Sequence, residues 1–260
     1  MNRIIKRSIV KLIAKLGYEI SELKDSYHNI AIELSKEDID LIRFVHKNKF
    51  TMSSVPRLVA TLKACKYVVE QNIGGDFVEC GVWRGGNPIL AKKIFERMGS
   101  NKNVYLFDTF EGMTAPTEFD KNASTQKTAF KKYADNKKDG YNKWCYASLE
   151  EVNKNFKQAK VDFSGVHFIK GDVCKTLEVS KTLPSNISVL RLDTDWYEST
   201  LAELQHLYPL LSVGGSLLID DYGHWEGARK AVDEYFRSIR SAPLLYVTDY
   251  TGRMAVKASH

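Results

Sequence analysis

The 260-residue chain has few of the features that assign a sequence quickly. Its four cysteines, Cys65, Cys80, Cys145 and Cys174, are widely spaced and form no C-x-x-C pair. That excludes a zinc knuckle and the short framework of a disulfide-stapled secreted domain, and it predicts reduced thiols in a cytoplasmic protein. No apolar run approaches the ~18 to 20 residues of a membrane-spanning helix. The opening MNRIIKRSIVKLIAKLGYEI lacks both the uninterrupted apolar stretch and the small-residue cleavage site of a signal peptide. There is no internal repeat, no low-complexity tract and no recognisable RNA- or DNA-binding module. With 43% hydrophobic residues the chain is neither disordered nor fibrous, and its length suits one large domain or two small ones.

A formal charge of +6 is present, but it is localised. Residues 1–16 carry Arg3, Lys6, Arg7, Lys11 and Lys15 with no acid, and residues 121–143 carry seven lysines against Asp135 and Asp139. The rest of the chain is therefore mildly acidic, and a nucleic-acid partner is not expected. Ile4, Ile5, Ile9, Leu12, Ile13 and Leu16 recur at helical spacing up to Gly17, which makes 1–16 an amphipathic basic helix. Two uses fit it: peripheral contact with a membrane or partner, or packing on its own domain or on a second subunit of a homo-oligomer.

Beyond residue 50 the pattern alternates. A helix is expected from Ser53 to Val69 and another around 36–46. Strands are expected at Asp76–Cys80, Val104–Asp108, Val166–Ile169, Ser188–Leu192 and Gly215–Ile219, with terminal strands near 244–248 and 253–257. Helices are expected at about 87–98, 148–158, 198–210 and 225–240. Apolar strands alternating with helices predict an α/β domain with a largely parallel sheet, here 51–260, preceded by a helical extension at 1–50.

Ligands of such sheets bind beyond the carboxyl ends of the strands, and those exits are polar here. Glu79 leads into a turn with Gly81, Gly85 and Gly86, which is not G-x-G-x-x-G; glycines there let a backbone approach a ligand. Asp108, 29 residues later, suits ribose hydroxyls of a nucleotide-type cofactor. The later exits are Asp193-Thr-Asp195 and Asp220-Asp221. Four carboxylates at one sheet edge are costly unless something positive lies between them, and an all-oxygen donor set suits Mg²⁺, Mn²⁺ or Ca²⁺. His224 follows as a base or substrate contact.

The stretches DFVECGVWRGG (76–86), YLFDTFEGM (105–113), LRLDTDWYEST (191–200), the segment from Tyr208 to Trp225 and GARKAVDEYF (227–236) together resemble the macrocin O-methyltransferase family. Its members are S-adenosylmethionine- and Mg²⁺-dependent enzymes that methylate sugar hydroxyls. The resemblance covers roughly 50–240 and implies a class I methyltransferase fold, a Rossmann-like seven-stranded sheet with the last strand reversed. It implies that Glu79, Gly81, Gly85 and Gly86 hold the methionine end of S-adenosylmethionine, Asp108 its ribose, and Gly171, Asp172 and Val173 its adenine, with Thr51, Met52 and Arg57 folding over it. By analogy with catechol-type methyltransferases it makes Asp193, Asp220 and Asp221 metal ligands and Asp195 the base, with Asp193 able to exchange that role.

Two further readings remain at this level. Asp193-Thr-Asp195 after an apolar strand is also the D-x-D pattern of a metal-dependent glycosyltransferase. A basic-helix adaptor without catalysis would use 1–16 alone. The Lys-rich 121–143, interleaved with Phe130, Tyr133, Tyr141 and, just beyond, Trp144 and Tyr146, reads as a lid over an anionic sugar or glycoside acceptor or as a solvated loop.

Overall fold

The computed structural model describes residues 31–258. The expected basic helix at 1–16 lies outside the described residues. One compact body begins at Ser35, so the helix at Lys36–Lys47 (α1) belongs to it. Helix α1 starts where Ser35 and Asp38 bond reciprocally to each other's backbone N–H groups, a capping box that satisfies two otherwise orphaned donors. Helix α2 (Val55–Glu70) is capped by Ser54 and carries Pro56 in its first turn, where a missing N–H costs nothing.

Strands β1 (Asp76–Cys80), β2 (Val104–Asp108), β3 (Val166–Lys170), β4 (Ile187–Leu192) and β5 (Leu211–Ile219) are parallel, and β6 (Tyr246–Val247) and β7 (Arg253–Val256) close the far edge. The sheet order is β3-β2-β1-β4-β5-β7-β6, with β7 antiparallel to both of its neighbours. This is the class I methyltransferase fold that the resemblance implied. Between the strands run α3 (Gly86–Arg97), α4 (Phe130–Asn136), α5 (Leu149–Gln158), α6 (Val173–Thr176), α7 (Tyr197–Leu207) and α8 (Glu226–Ile239). Val78, Leu190, Leu217 and Ile219 from the strands pack with Leu204, Val232 and Phe236 from α7 and α8, covering one sheet face with apolar side chains. Among the described residues no helix is long and apolar enough to cross a membrane.

Strand β5 begins four residues before the expected Gly215, because Gly214 and Gly215 continue the strand rather than interrupt it. The short α4 and α6 had no counterpart in the periodicity. Strand order reverses between β1 and β4, and ligands of open α/β sheets bind at such a point, outside the carboxyl ends of the strands.

Candidate active site

The β1 and β4 exits touch. Gly81 sits at φ +80°, and a Cβ on it would lie 1.9 Å from the Asp193 carbonyl oxygen, so only glycine fits the approach. Gly85 and Gly86 serve packing: a Cβ on Gly85 would strike Phe156 and Val152, and one on Gly86 would strike Phe50 and Thr51. Asp108 ends β2 and turns back onto the same loop. Its Oδ2 accepts from Val82 N–H at 2.7 Å and Trp83 N–H at 3.1 Å, and its Oδ1 accepts from Phe110 N–H at 2.7 Å. Burial raises the Asp108 carboxyl above its ordinary range against these three bonds.

Pairing register places Arg191 of β4 beside Glu79 of β1. The Arg191 guanidinium is 1% exposed and donates to Glu79 Oε1 at 2.5 Å, to Asp193, to Asp220 and to the Ser53 hydroxyl at 3.0 Å. Arg57, from the first turn of α2, pairs with Asp220 and with Asp249 at 3.0 Å. The positive charge required between the acids is thus supplied in part by the protein. The two guanidiniums pair with Glu79, Asp193, Asp220 and Asp249, and among the described residues Asp195 and Asp221 have no ion pair, which leaves the cluster short of positive charge.

Asp195 occupies a three-residue turn closed by Trp196 N–H donating to Thr194 C=O at 2.8 Å, with Asp195 itself at φ +69°. Left-handed backbone at a non-glycine residue is strained. Asp195 Oδ1 accepts from Trp225 Nε1–H at 2.7 Å, and burial pushes its carboxyl up to about 6. Burial raises Asp221 well above the carboxylate range, and Asp195, Asp193 and Asp220 add to the shift. Its Oδ2 is buried with no hydrogen-bond partner.

Asp193, Asp220 and Asp221 each offer an oxygen within 4.8 Å of the others. An orphaned buried carboxylate oxygen, an all-oxygen donor set and a shortage of positive charge together fit a hard divalent cation.

His224 is held at both ring nitrogens. Asn122 Oδ1 accepts from Ser124 N–H and Thr125 N–H, so its amide nitrogen faces His224 and donates to Nε2 at 3.1 Å. Nδ1–H then donates to the Tyr250 hydroxyl at 2.7 Å. Burial lowers the imidazole's pKa, with Lys132 and Arg57 adding to the effect, so the neutral ring is favoured.

Two chambers meet at these groups. The first is lined by Gly81, Asp108, Met113, Asp172 and Val173, and the second, of about 220 Å³, by Arg57, Asp220, Asp221, His224 and Trp225. Met52, Trp83, Cys145, Asp193 and Asp195 line both. Thr51 lies on the second chamber, as does Arg57, which therefore faces the acids rather than the first chamber. Glu79, Gly85 and Gly86 line neither, and Gly171 borders an adjoining open cleft.

The macrocin-O-methyltransferase (TylF) family profile matches residues 25–253. The chain belongs to that family. Like the TylF-family relatives it matches, it is an O-methyltransferase. Demethyldecarbamoylnovobiocin O-methyltransferase of Streptomyces niveus is 31% identical over 245 residues, 94% of this chain and 89% of the relative. Mycinamicin III 3''-O-methyltransferase of Micromonospora griseorubida is 30% identical over 188 residues, 71% and 69% of the two chains. The solved structure of the O-methyltransferase NovP superposes with a TM-score of 0.70 at 31% identity, covering 81% of this chain and 83% of the other. The SAH-bound methyltransferase PaMTH1 of Podospora anserina, at 12% identity and a TM-score of 0.52, shares the fold. The glycosyltransferase alternative finds no support among these relatives.

Reading the sequence missed four residues of this TylF-family site: Arg191, Asp249, Asn122 and Tyr250. Arg191 had a signal, since a charged residue in the middle of a central parallel strand is buried on both faces and must find a partner. The other three lie on loops whose approach to the site depends on the tertiary fold.

Proposed function

We propose that this O-methyltransferase moves the methyl group of S-adenosylmethionine to a hydroxyl of a sugar or glycoside, with Mg²⁺ or a similar divalent cation at Asp193, Asp220 and Asp221. The observation that carries the reading is the junction of two chambers at Asp193 and Asp195: Gly81, Asp108 and Asp172 line one, Asp220, Asp221 and His224 line the other, and acids stand where they meet. A relative from Streptomyces olivaceus whose name specifies a rhamnosyl tetracenomycin 4'-O-methyltransferase supports a sugar hydroxyl as acceptor. When bound, the cofactor supplies an electrophilic methyl carbon, and the cation supplies charge that favours an ionised hydroxyl.

The chain's own residues do the rest. Gly81 and Asp108 shape the first chamber, and Asp172 and Val173 form its far wall. The Asp195 carboxylate accepts the acceptor's proton, oriented by the Trp225 indole N–H and by its own constrained turn. Arg191 and Arg57 fix Asp220 and Asp193 in place, and positioning of this kind accounts for much of the acceleration in a displacement reaction. His224, held by Asn122 and Tyr250, forms a neutral wall of the acceptor chamber.

Labelled-methyl transfer to a panel of glycosides, with Mg²⁺ and with excess EDTA, tests the proposal. Transfer that requires the cation and is lost in Asp193→Asn and Asp220→Asn, while S-adenosylhomocysteine still binds, is the expected result. Full activity in EDTA would remove the cation from the mechanism, and no transfer to any glycoside would remove the sugar.

A further inference from the structure

A groove of about 800 Å³ adjoins the acceptor chamber and shares Lys132, Trp144, His224 and Trp225 with it. Its outer wall is the Lys-rich segment. That segment is fixed in place: residues 121 and 128 bridge each other, Asn122 bridges Trp225, and α4 follows. Lys127, Lys131 and Lys132 line the groove with Asp135 as the acid among the lining residues, so it carries a net two positive charges. All three lysines are exposed and, among the described residues, none of them forms an ion pair. Lys132 Nζ lies 4.0 Å from the centroid of the Trp144 ring, and Trp144 packs against Trp196 and Trp225.

We propose that this groove seats the phosphate or pyrophosphate of a sugar presented as a glycosyl phosphate ester, an inference that rests on the proposed sugar O-methylation. The charge arrangement of the two adjoining cavities carries it. The inner chamber holds Asp193, Asp195, Asp220 and Asp221 against Arg57, Lys127 and Lys131 line the groove, and Lys132 stands where the two meet. A neutral sugar fits neither end better than the other. An acceptor with an uncharged hydroxyl end and a dianionic tail meets the groove's lysines only when it enters sugar-first, which also sets its orientation. A single carboxylate balances half of the groove's charge, whereas a phosphate or pyrophosphate balances all of it. Trp144 and Trp225, at the joint between the two ends, offer rings on which a sugar can stack, and Trp225 reaches Asp195 directly.

The test is calorimetric titration of the full chain with pyrophosphate, uridine diphosphate, geranyl diphosphate and uridine, in EDTA so that no cation at the acids recruits the anions. The three phosphates should bind and uridine should not. Affinity should fall as salt is raised from about 50 to about 300 mM, because exposed charges are screened. The variant K127Q/K131Q/K132Q should bind them at least about tenfold more weakly, at ~0.5 kcal/mol for each exposed lysine. Its affinity for S-adenosylhomocysteine, measured alongside, should match wild type and so report an intact fold. Preference for uridine diphosphate assigns a nucleotide carrier, preference for geranyl diphosphate a lipid carrier, and equal binding a site for the phosphoryl group alone. No phosphate binding, or binding unchanged in the variant, overturns the inference. A chain that methylates neutral glycosides without binding phosphates refutes the groove alone. A chain that binds phosphates yet methylates no sugar refutes the proposed function alone.

Discussion

Replacing Arg191 with methionine tests whether the buried guanidinium holds the site together. The side chain is 1% exposed and serves Glu79, Asp193, Asp220 and Ser53 at once. Methionine fills most of the volume, so the loss is electrostatic rather than a cavity. Removing one partner of a buried ion pair costs about 3–5 kcal/mol because the other charge is stranded, and here three carboxylates lose a partner. For a body of this size each kcal/mol moves the midpoint by roughly 2–4 °C, so the melting temperature should fall by about 6–20 °C. Glu79→Gln provides the contrast. Burial raises the Glu79 carboxyl well above its ordinary range, and its Oε2 has no partner, so a neutral amide that still accepts from Arg191 should cost less than about 1 kcal/mol. Scanning calorimetry or thermal circular dichroism on both variants reads the difference. A melting point for Arg191→Met within ~2 °C of wild type, or a Glu79→Gln variant equally damaged, would refute the view that Arg191 neutralises this cluster.

Asp195→Asn should lower kcat by ~10²- to 10⁴-fold with little change in S-adenosylhomocysteine affinity. Because the base form of a carboxyl at about 6 is lost as pH falls through that value, wild-type activity should show an acid limb at or below pH 6 that the variant lacks. Gly81→Ala should destabilise the fold by about 1–3 kcal/mol and abolish cofactor binding, since it combines a left-handed φ with a backbone clash; a calorimetric isotherm like that of wild type would disprove the close approach. Asp38 gives a stability effect remote from the site. Burial alone would raise its carboxyl, but hydrogen bonds from Arg97 and Lys66 outweigh burial and hold it below its ordinary value. Its contribution is present above the unfolded-state pKa and lost as pH falls through the folded one. Asp38→Asn should therefore lower the melting temperature at neutral pH and flatten its decline in acid, and parallel wild-type and variant curves would contradict this.

Periodicity located the five parallel strands and the longer helices because each is long, apolar on the buried side and punctuated by caps. It did not reveal α4 and α6, which are too short for a 3.6-residue repeat to register, although Asp172 capping α6 was a usable signal. Polar exits identified the acids of the candidate site. Their electrostatics were harder to read, because Arg191, two residues before Asp193 in the same strand, supplies positive charge that a row of like-charged strand exits does not reveal. Gly85 and Gly86 illustrate a different limit. A glycine in a turn signals close approach, but the sequence does not say whether the approaching atom belongs to a ligand or, as here, to Phe156 and Phe50.

The bridge between Asn122 and Trp225 has an evolutionary consequence. The reacting groups hang on strand exits that the sheet holds fixed, while the groove wall is one contiguous stretch of chain held by loops, to residues 224–226 through Lys121, Asn122, Ala123 and Gln126 and to Glu111 through Asn142. That stretch can be exchanged without disturbing the strands, which makes acceptor choice a transplantable property. A chimaera carrying residues 121–143 of a relative should inherit the relative's preference for the carrier of its sugar and keep the recipient's chemistry.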